Sequence, residues 1–265
     1  MSQIIGYILA VFVGMTLGML GSGGSILSVP ILVYVMGIEQ TLATAYSLFV
    51  IGTTSLVGGI HKAKQKLVDF YKVILFGIPA ILSVFVTRKL IVPRIPEVIF
   101  SSEGFTLTKS ILIMVVFARV MIFASVRMIK PFKEKIVVEE VKLNYFKIVL
   151  MGILIGLISG FVGAGGGFLI VPTLLIFANT PMKMSVGTSL FIVSAQSLIG
   201  FTGDIMSDQV IDWKLLEYFT LASIIGIFIG NFIAKKVEDD KLKTSFGWFV
   251  LAMGIYIIIR ELFLS

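Results

Sequence analysis

Apolar runs the length of a membrane crossing fix the solvent in which this chain folds. They cover about 41–60, 71–90 and 110–128, and again about 184–203, 215–234 and 246–264. Two longer apolar stretches, about 4–37 and 145–178, are broken by glycines. A helix needs roughly 20 apolar residues to cross a hydrocarbon core. Composition agrees: 57% of the residues are hydrophobic and 14% charged, where a water-facing domain carries about 25% charged residues. The alternating pattern of a barrel strand is absent, so the runs read as helices whose backbone groups pair internally. The chain is expected to be an all-α, multi-pass protein of the cell membrane, in contact with lipid.

The formal net charge is +7, and the basic residues lie between the apolar runs: Lys62, Lys64 and Lys66, then Arg127, Lys130, Lys133 and Lys135, then Lys235 and Lys236. Charge placed there reads as a topology signal and argues against a nucleic-acid partner. There are no cysteines, which excludes disulfides, thiolate metal sites and cysteine nucleophiles. Met1-Ser2-Gln3 carries no basic side chain and no small-residue cleavage site follows, so the first run is expected to belong to the fold.

The chain also repeats itself. Gly14-Met-Thr-Leu-Gly18-Met-Leu-Gly21-Ser-Gly23-Gly24 through Val29-Pro30 aligns with Gly156 to Pro172 at an offset of 142, with 15 identities in the 46 positions from Gly14 to Gly59. Ser47-Leu48-Phe49 falls on Ser189-Leu190-Phe191, and Ser55-Leu56 on Ser197-Leu198. One residue of slip then pairs Asp69 with Asp212. Shared greasiness matches scattered Leu and Val; it does not keep glycines and a proline in register. The units are an N-terminal repeat (1–129), a polar linker (130–144) and a C-terminal repeat (145–265).

The glycine-broken stretch decides the topology. It is long for one crossing and short for two, with Gly21-Ser-Gly-Gly-Ser25 in its middle and Pro30 beyond. It reads as a helical hairpin that enters and leaves on one side. Each repeat then makes three full crossings, and an odd number forces the second repeat to be inverted. Loops 61–72, 127–147, 178–185 and 234–246 carry 15 Lys and Arg, against 6 for loops 88–109 and 203–214 with Arg260. The richer face belongs in the cytoplasm, which places both termini outside.

Inverted repeats with interrupted helices place substrate near the midplane, where half-helices leave backbone groups unpaired. Gly21, Ser22, Gly23, Gly24 and Ser25 on one side, and Gly163, Gly165, Gly166 and Gly167 on the other, are the candidates for close approach of an anion to helix-start N–H groups. Gly14, Gly18, Gly156 and Gly160 have the spacing of helix-packing faces instead. Ser47, Ser55, Ser189, Gln196 and Ser197 add hydroxyl and amide groups on the next run of each repeat, although a hydroxyl in a helix often bonds its own backbone. Arg119, in the middle of the 109–128 run, is a charge at membrane depth and so either an attractor for the anion or a structural partner for carbonyls. Asp69 and Asp212, each before a run, read as helix caps. No Asp or Glu is expected near the centre of a run and the single His lies at an end, so proton relays, metal chemistry and hydrolysis lack their side chains, and no cofactor is expected.

At the glycine stretches the chain is similar to a known family. Gly21-Ser-Gly-Gly-Ser-Ile-Leu-Ser-Val-Pro30 and Gly163-Ala-Gly-Gly-Gly-Phe-Leu-Ile-Val-Pro172, followed by Ala45-Tyr-Ser-Leu48 and Gly187-Thr-Ser-Leu190, resemble the TauE/SafE sulfite exporters over nearly the whole chain. That resemblance implies a membrane transporter that exports a small anion such as sulfite or an organosulfonate. A carrier for another small sulfur compound or ion is the alternative, with a non-transporting scaffold behind it. The first repeat departs from the usual Gly-Thr-Ser, having Ala45-Tyr46-Ser47. Whether the protein works as a homodimer is left open by the sequence.

Overall fold

A computed structural model of the chain describes residues 2–102, 105–129, 145–162, 167, 169–178, 180–205, 211–234 and 239–263. The N-terminal repeat contains α1 (Ser2–Leu20), a 3-10 turn (Gly21–Leu27), α2 (Ser28–Pro30) running into π-helical Ile31–Val35, α3 (Gln40–Lys64), α4 (Phe70–Val86) and α5 (Lys109–Ile129). The C-terminal repeat contains α6 (Tyr145–Val162), α7 (Ile170–Phe177), α8 (Met182–Ile205), α9 (Trp213–Ala234) and α10 (Asp239–Phe263). Among the described residues, five segments are long and apolar enough to cross a membrane: Gln3–Leu20, Gln40–Lys64, Phe70–Arg94, Lys183–Ile205 and Trp213–Ala234.

The glycine-broken stretch of the first repeat folds back as a hairpin. Gly21 sits at φ +64, a left-handed conformation that glycine adopts without steric cost. The turn brings Gly24 onto the backbone of Thr16 and Leu17, leaving no room for a Cβ. Thr16 Oγ1 closes the contact by donating to Val13 O at 2.8 Å and Gly24 O at 3.3 Å. The returning arm ends beside the start of α1: a methyl on Gly6 would meet the Met36 side chain at 2.7 Å.

The two repeats are interlaced. The main partner of α1 is α9, and its sequence counterpart α6 packs in the same way on α4. Both contacts are made backbone to backbone through glycine, as the spacing predicts. Gly14 and Gly18 lie on Ser223, Ile227 and Asn231, and Gly226 and Gly230 lie on Val11 and Met15. On the other side Gly152, Gly156 and Gly160 lie on Phe76, Ala80 and Thr87 in that order. Rising numbers meet rising numbers, so both pairs are parallel.

The central pair, α3 and α8, is antiparallel: Gly52 meets Leu198, Gly59 meets Phe191 and Gly200 meets Leu48. Helix α4 follows α8, with Val84 at Gly200 and Arg88 at Gly203, and α9 follows α3, with Ile227 at Gly58 and Phe228 at His61. Thus α1, α3 and α9 run one way and α6, α8 and α4 the other. Each helix in the first set has its repeat counterpart in the second.

The burial pattern identifies the solvent. The inner helices α3 and α8 are enclosed along most of their length, whereas α4 turns Phe70, Ile74, Ile78 and Leu82 outward and α9 turns Leu221, Ile225, Phe228 and Phe232 outward. Apolar residues three or four apart on an exposed helix face suit hydrocarbon and not water.

Two sequence expectations need correction. The segment after residue 88 does not begin as a loop, because the helix continues through π-helical Thr87–Ile91 and 3-10 Val92–Arg94. The connection to α5 then forms a short antiparallel hairpin, β1 (Val98–Ser102) with β2 (Phe105–Thr108).

Helix starts behave as expected. Asp69 Oδ1 accepts from Lys72 N at 3.2 Å, and Asp212 Oδ1 accepts from Leu215 N at 3.1 Å. The backbone N–H of each cap is held by the opposite repeat. Asp69 N donates to Thr188 Oγ1 at 3.0 Å, and Asp212 N donates to the Tyr46 hydroxyl at 2.6 Å. Tyr46 and Thr188 are repeat equivalents, so the unusual tyrosine does the work of the threonine at the same joint.

Candidate functional site

The register of α3 on α8 places repeat-equivalent residues at the same level of the antiparallel pair. Two residues on from Gly52 is Thr54, and two back from its neighbour Leu198 is Gln196. Thr54 and Gln196 are themselves 142 apart, so the relation between the repeats passes between them. Beside them lie Ser55 and Ser197, another equivalent pair. All four side chains are fully buried.

Their hydrogen bonding sets them apart. Thr54 Oγ1, Ser55 Oγ, Ser197 Oγ and Gln196 Oε1 have no partner among the described residues. Gln196 Nε2 donates to Ser159 Oγ on α6 at 3.2 Å, which holds the amide in place. A buried polar group without a partner costs about 1–3 kcal/mol, and such groups are uncommon in folded proteins. Four at one crossing, in two equivalent pairs, mark a place built to bond something other than the chain.

The first glycine stretch approaches the same region. Ser22 is fully buried and its Oγ has no partner among the described residues. Ser25 Oγ donates to Ser22 O at 2.8 Å, which fixes the turn. A Cβ on Gly167 would lie 3.4 Å from Ser25 Oγ and 2.7 Å from Val193 Cγ2, so the second glycine stretch meets the first beside α8. Val193 is one turn before Gln196 and Ser197.

The serines expected from the sequence divide into two kinds. Ser47 Oγ donates to Thr44 O at 2.7 Å and Ser189 Oγ to Val186 O at 2.8 Å, the local backbone bonding common for hydroxyls in helices. Ser189 has a second task, accepting from Ser22 N at 3.3 Å. The Ser22 amide is therefore engaged within the protein, and Gly23 and Gly24 continue in tight 3-10 geometry. Gly24 owes its lack of a side chain to contact with α1. Gly163, Gly165 and Gly166 lie outside the described residues. Arg119 is not brought to the cluster: it stands on the exposed face of α5.

Sequence reasoning missed a buried ion pair. Arg88 at the end of α4 and Asp204 at the end of α8 meet with Nη1 3.3 Å from Oδ1, with the arginine side chain 1% exposed. Both fall in segments that read from the sequence as loops, 88–109 and 203–214. Their pairing spans the two repeats, which no local pattern in the sequence reveals.

The comparisons with known proteins settle the family. Residues 7–257 match the model of the family described as "Sulfite exporter TauE/SafE". The chain belongs to the TauE/SafE family. It is 30% identical over 257 residues to a probable membrane transporter protein of Xylella fastidiosa, covering 94% of this chain and 92% of that one. It is 25% identical to the probable membrane transporter protein YunE of Bacillus subtilis, over 99% of this chain and 100% of that one. No solved structure matches it. As a TauE/SafE protein with five long apolar helices, it is a multi-pass membrane transporter.

Proposed function

We propose that this TauE/SafE transporter exports a small anion, sulfite or an organosulfonate, bound at the crossing of α3 and α8. The single observation behind this reading is the pair of equivalent pairs, Thr54 with Gln196 and Ser55 with Ser197, all buried, whose three hydroxyls and Gln196 Oε1 have no partner among the described residues. The hydroxyl donors of Thr54, Ser55 and Ser197 suit the oxygen atoms of a small ligand. Ser22 supplies a further hydroxyl from the glycine stretch.

The same reading sets the two repeats inverted across the bilayer, with both termini outside. The opposed directions of α3 and α8, and of α1 and α6, support it, as does the excess of basic residues on one set of loops. Fluorescent-protein or alkaline-phosphatase fusions at Ser265 test the orientation. A fusion that glows as a cytoplasmic one does would refute it.

A membrane potential of 100 mV, negative inside, drives each negative charge outward by about 2.3 kcal/mol, or about 50-fold at equilibrium. The experiment is efflux from sulfite-loaded proteoliposomes with an imposed potential. The wild type is expected to release sulfite faster with the interior negative, and Ser55→Ala/Ser197→Ala to release it at least tenfold more slowly. Equal rates for the two proteins would remove the crossing from the transport route.

A further inference from the structure

Beyond the crossing, the ends of α4 and α9 carry a second matched pair of buried polar groups. Asp69 and Asp212 align at an offset of 143, and the same offset pairs Arg88 with Asn231. Both are buried, at 1% and 5% exposure. Neither is fully satisfied among the described residues. Arg88 Nε and Nη2, and both Oδ1 and Nδ2 of Asn231, have no hydrogen-bond partner among the described residues.

Their positions are equivalent in the packing as well as in the sequence. Thr87, the neighbour of Arg88, lies on Gly160 of α6, and Asn231 lies on Gly18 of α1. Gly160 and Gly18 are themselves equivalent, and in each repeat the glycine-rich stretch begins three residues further on. A side chain from one repeat therefore stands beside the last turn of the helix leading into the glycine stretch of the other. On the Arg88 side that stretch contains no serine, whereas on the Asn231 side it contains Ser22 and Ser25.

The chemistry of Arg88 defines what it would take. Asp204 engages only Nη1, at 3.3 Å. Nε–H and Nη2–H lie along one edge of the planar guanidinium and form a two-pronged donor that fits two oxygens of one oxyanion. Asn231 offers a donor and an acceptor but no charge.

We infer that Arg88 is a second anion-binding residue on the transport route, a charged subsite whose uncharged counterpart in the other repeat is Asn231. The inference rests on the transport reading above and adds a polarity to it. One end of the route holds the oxyanion by a charged fork and the other by a neutral amide. Asp204 keeps the guanidinium in place and offsets its charge, so that the anion is held weakly enough to leave.

The test is thermal unfolding of the purified full-length protein in detergent, with sodium sulfite titrated at constant ionic strength. Sulfite is expected to raise the melting temperature of the wild type saturably. In Arg88→Met/Asp204→Leu, which removes both charges of the pair, the half-saturating concentration is expected to rise at least tenfold. Arg88→Lys keeps a cation beside Asp204 but loses the fork; it is expected to weaken sulfite about tenfold while melting near the wild type, so the inference stays testable if the double variant does not fold. Wild-type sulfite affinity in Arg88→Lys, or in a folded double variant, would overturn it. Absence of any sulfite effect on the wild type would overturn both this inference and the transport reading. Ser55→Ala/Ser197→Ala weakened while Arg88→Lys is unchanged would overturn the Arg88 subsite alone.

Discussion

Thr54→Val and Thr16→Val are the same chemical change with opposite expected signs. Valine keeps the branched shape of threonine and replaces its hydroxyl by a methyl, so neither variant opens a large cavity. Thr54 is fully buried and its Oγ1 has no partner among the described residues. Relieving one buried unsatisfied hydroxyl is worth about 1–3 kcal/mol. Thr16 is also buried, but its Oγ1 donates to Val13 O at 2.8 Å and to Gly24 O at 3.3 Å. Losing a made hydrogen bond costs about 0.5–1.5 kcal/mol. Thr54→Val should therefore unfold at a higher temperature than the wild type and Thr16→Val at a lower one. At about 2–4 °C per kcal/mol for a chain near this size, the two should be several degrees apart. The assay is thermal unfolding in one detergent, paired with sulfite efflux from proteoliposomes. Thr54→Val is expected to be the more stable protein and the slower transporter. If it unfolds below the wild type by as much as Thr16→Val does, its hydroxyl is bonded within the folded protein and the crossing is structural.

Other substitutions separate packing from transport. Gly24→Leu should fail at folding before transport can be measured, since a Cβ there collides with the backbone of Thr16 and Leu17; normal yield and a wild-type melting temperature in detergent would contradict the hairpin geometry. Tyr46→Phe and Thr188→Val each free a backbone N–H at the start of a helix, that of Asp212 and of Asp69. Each should lower stability by about 1 kcal/mol, and faster hydrogen exchange at the freed amide is the direct readout; unchanged protection at both would dismiss the joint. Arg119→Met should leave both melting temperature and sulfite efflux near wild type, because Arg119 faces outward on α5; a loss of efflux in a stable variant would return Arg119 to the route.

What could be read in the sequence was whatever repeats or stays local. Gly21 and Gly24 meet demands that only glycine satisfies, a positive φ at Gly21 and contact with the Thr16 and Leu17 backbone at Gly24. Asp69 and Asp212 were legible as caps because a cap acts within one turn. Ser47 and Ser55 could not be told apart, since both repeat as serine and only their surroundings differ: one hydroxyl reaches its own backbone and the other does not. The pairing of Arg88 with Asp204 was hidden for a different reason. The apolar pattern ends before Arg88, and the carboxylate that neutralises Arg88 comes from the other repeat. The same one-residue slip that aligns Asp69 with Asp212 also conceals that Arg88 and Asn231 are counterparts.

The interlacing of the repeats has a consequence for biosynthesis. Helix α1 leaves the ribosome well before α9, yet α9 provides the surface that its glycines fit. Until α9 is inserted, Gly14 and Gly18 face lipid or the insertion machinery, and the hairpin they support has no wall to close against. Contacts between such distant parts of a chain form late and slowly. A nascent protein interrupted anywhere before α9 therefore presents quality control with an unpaired glycine groove along α1.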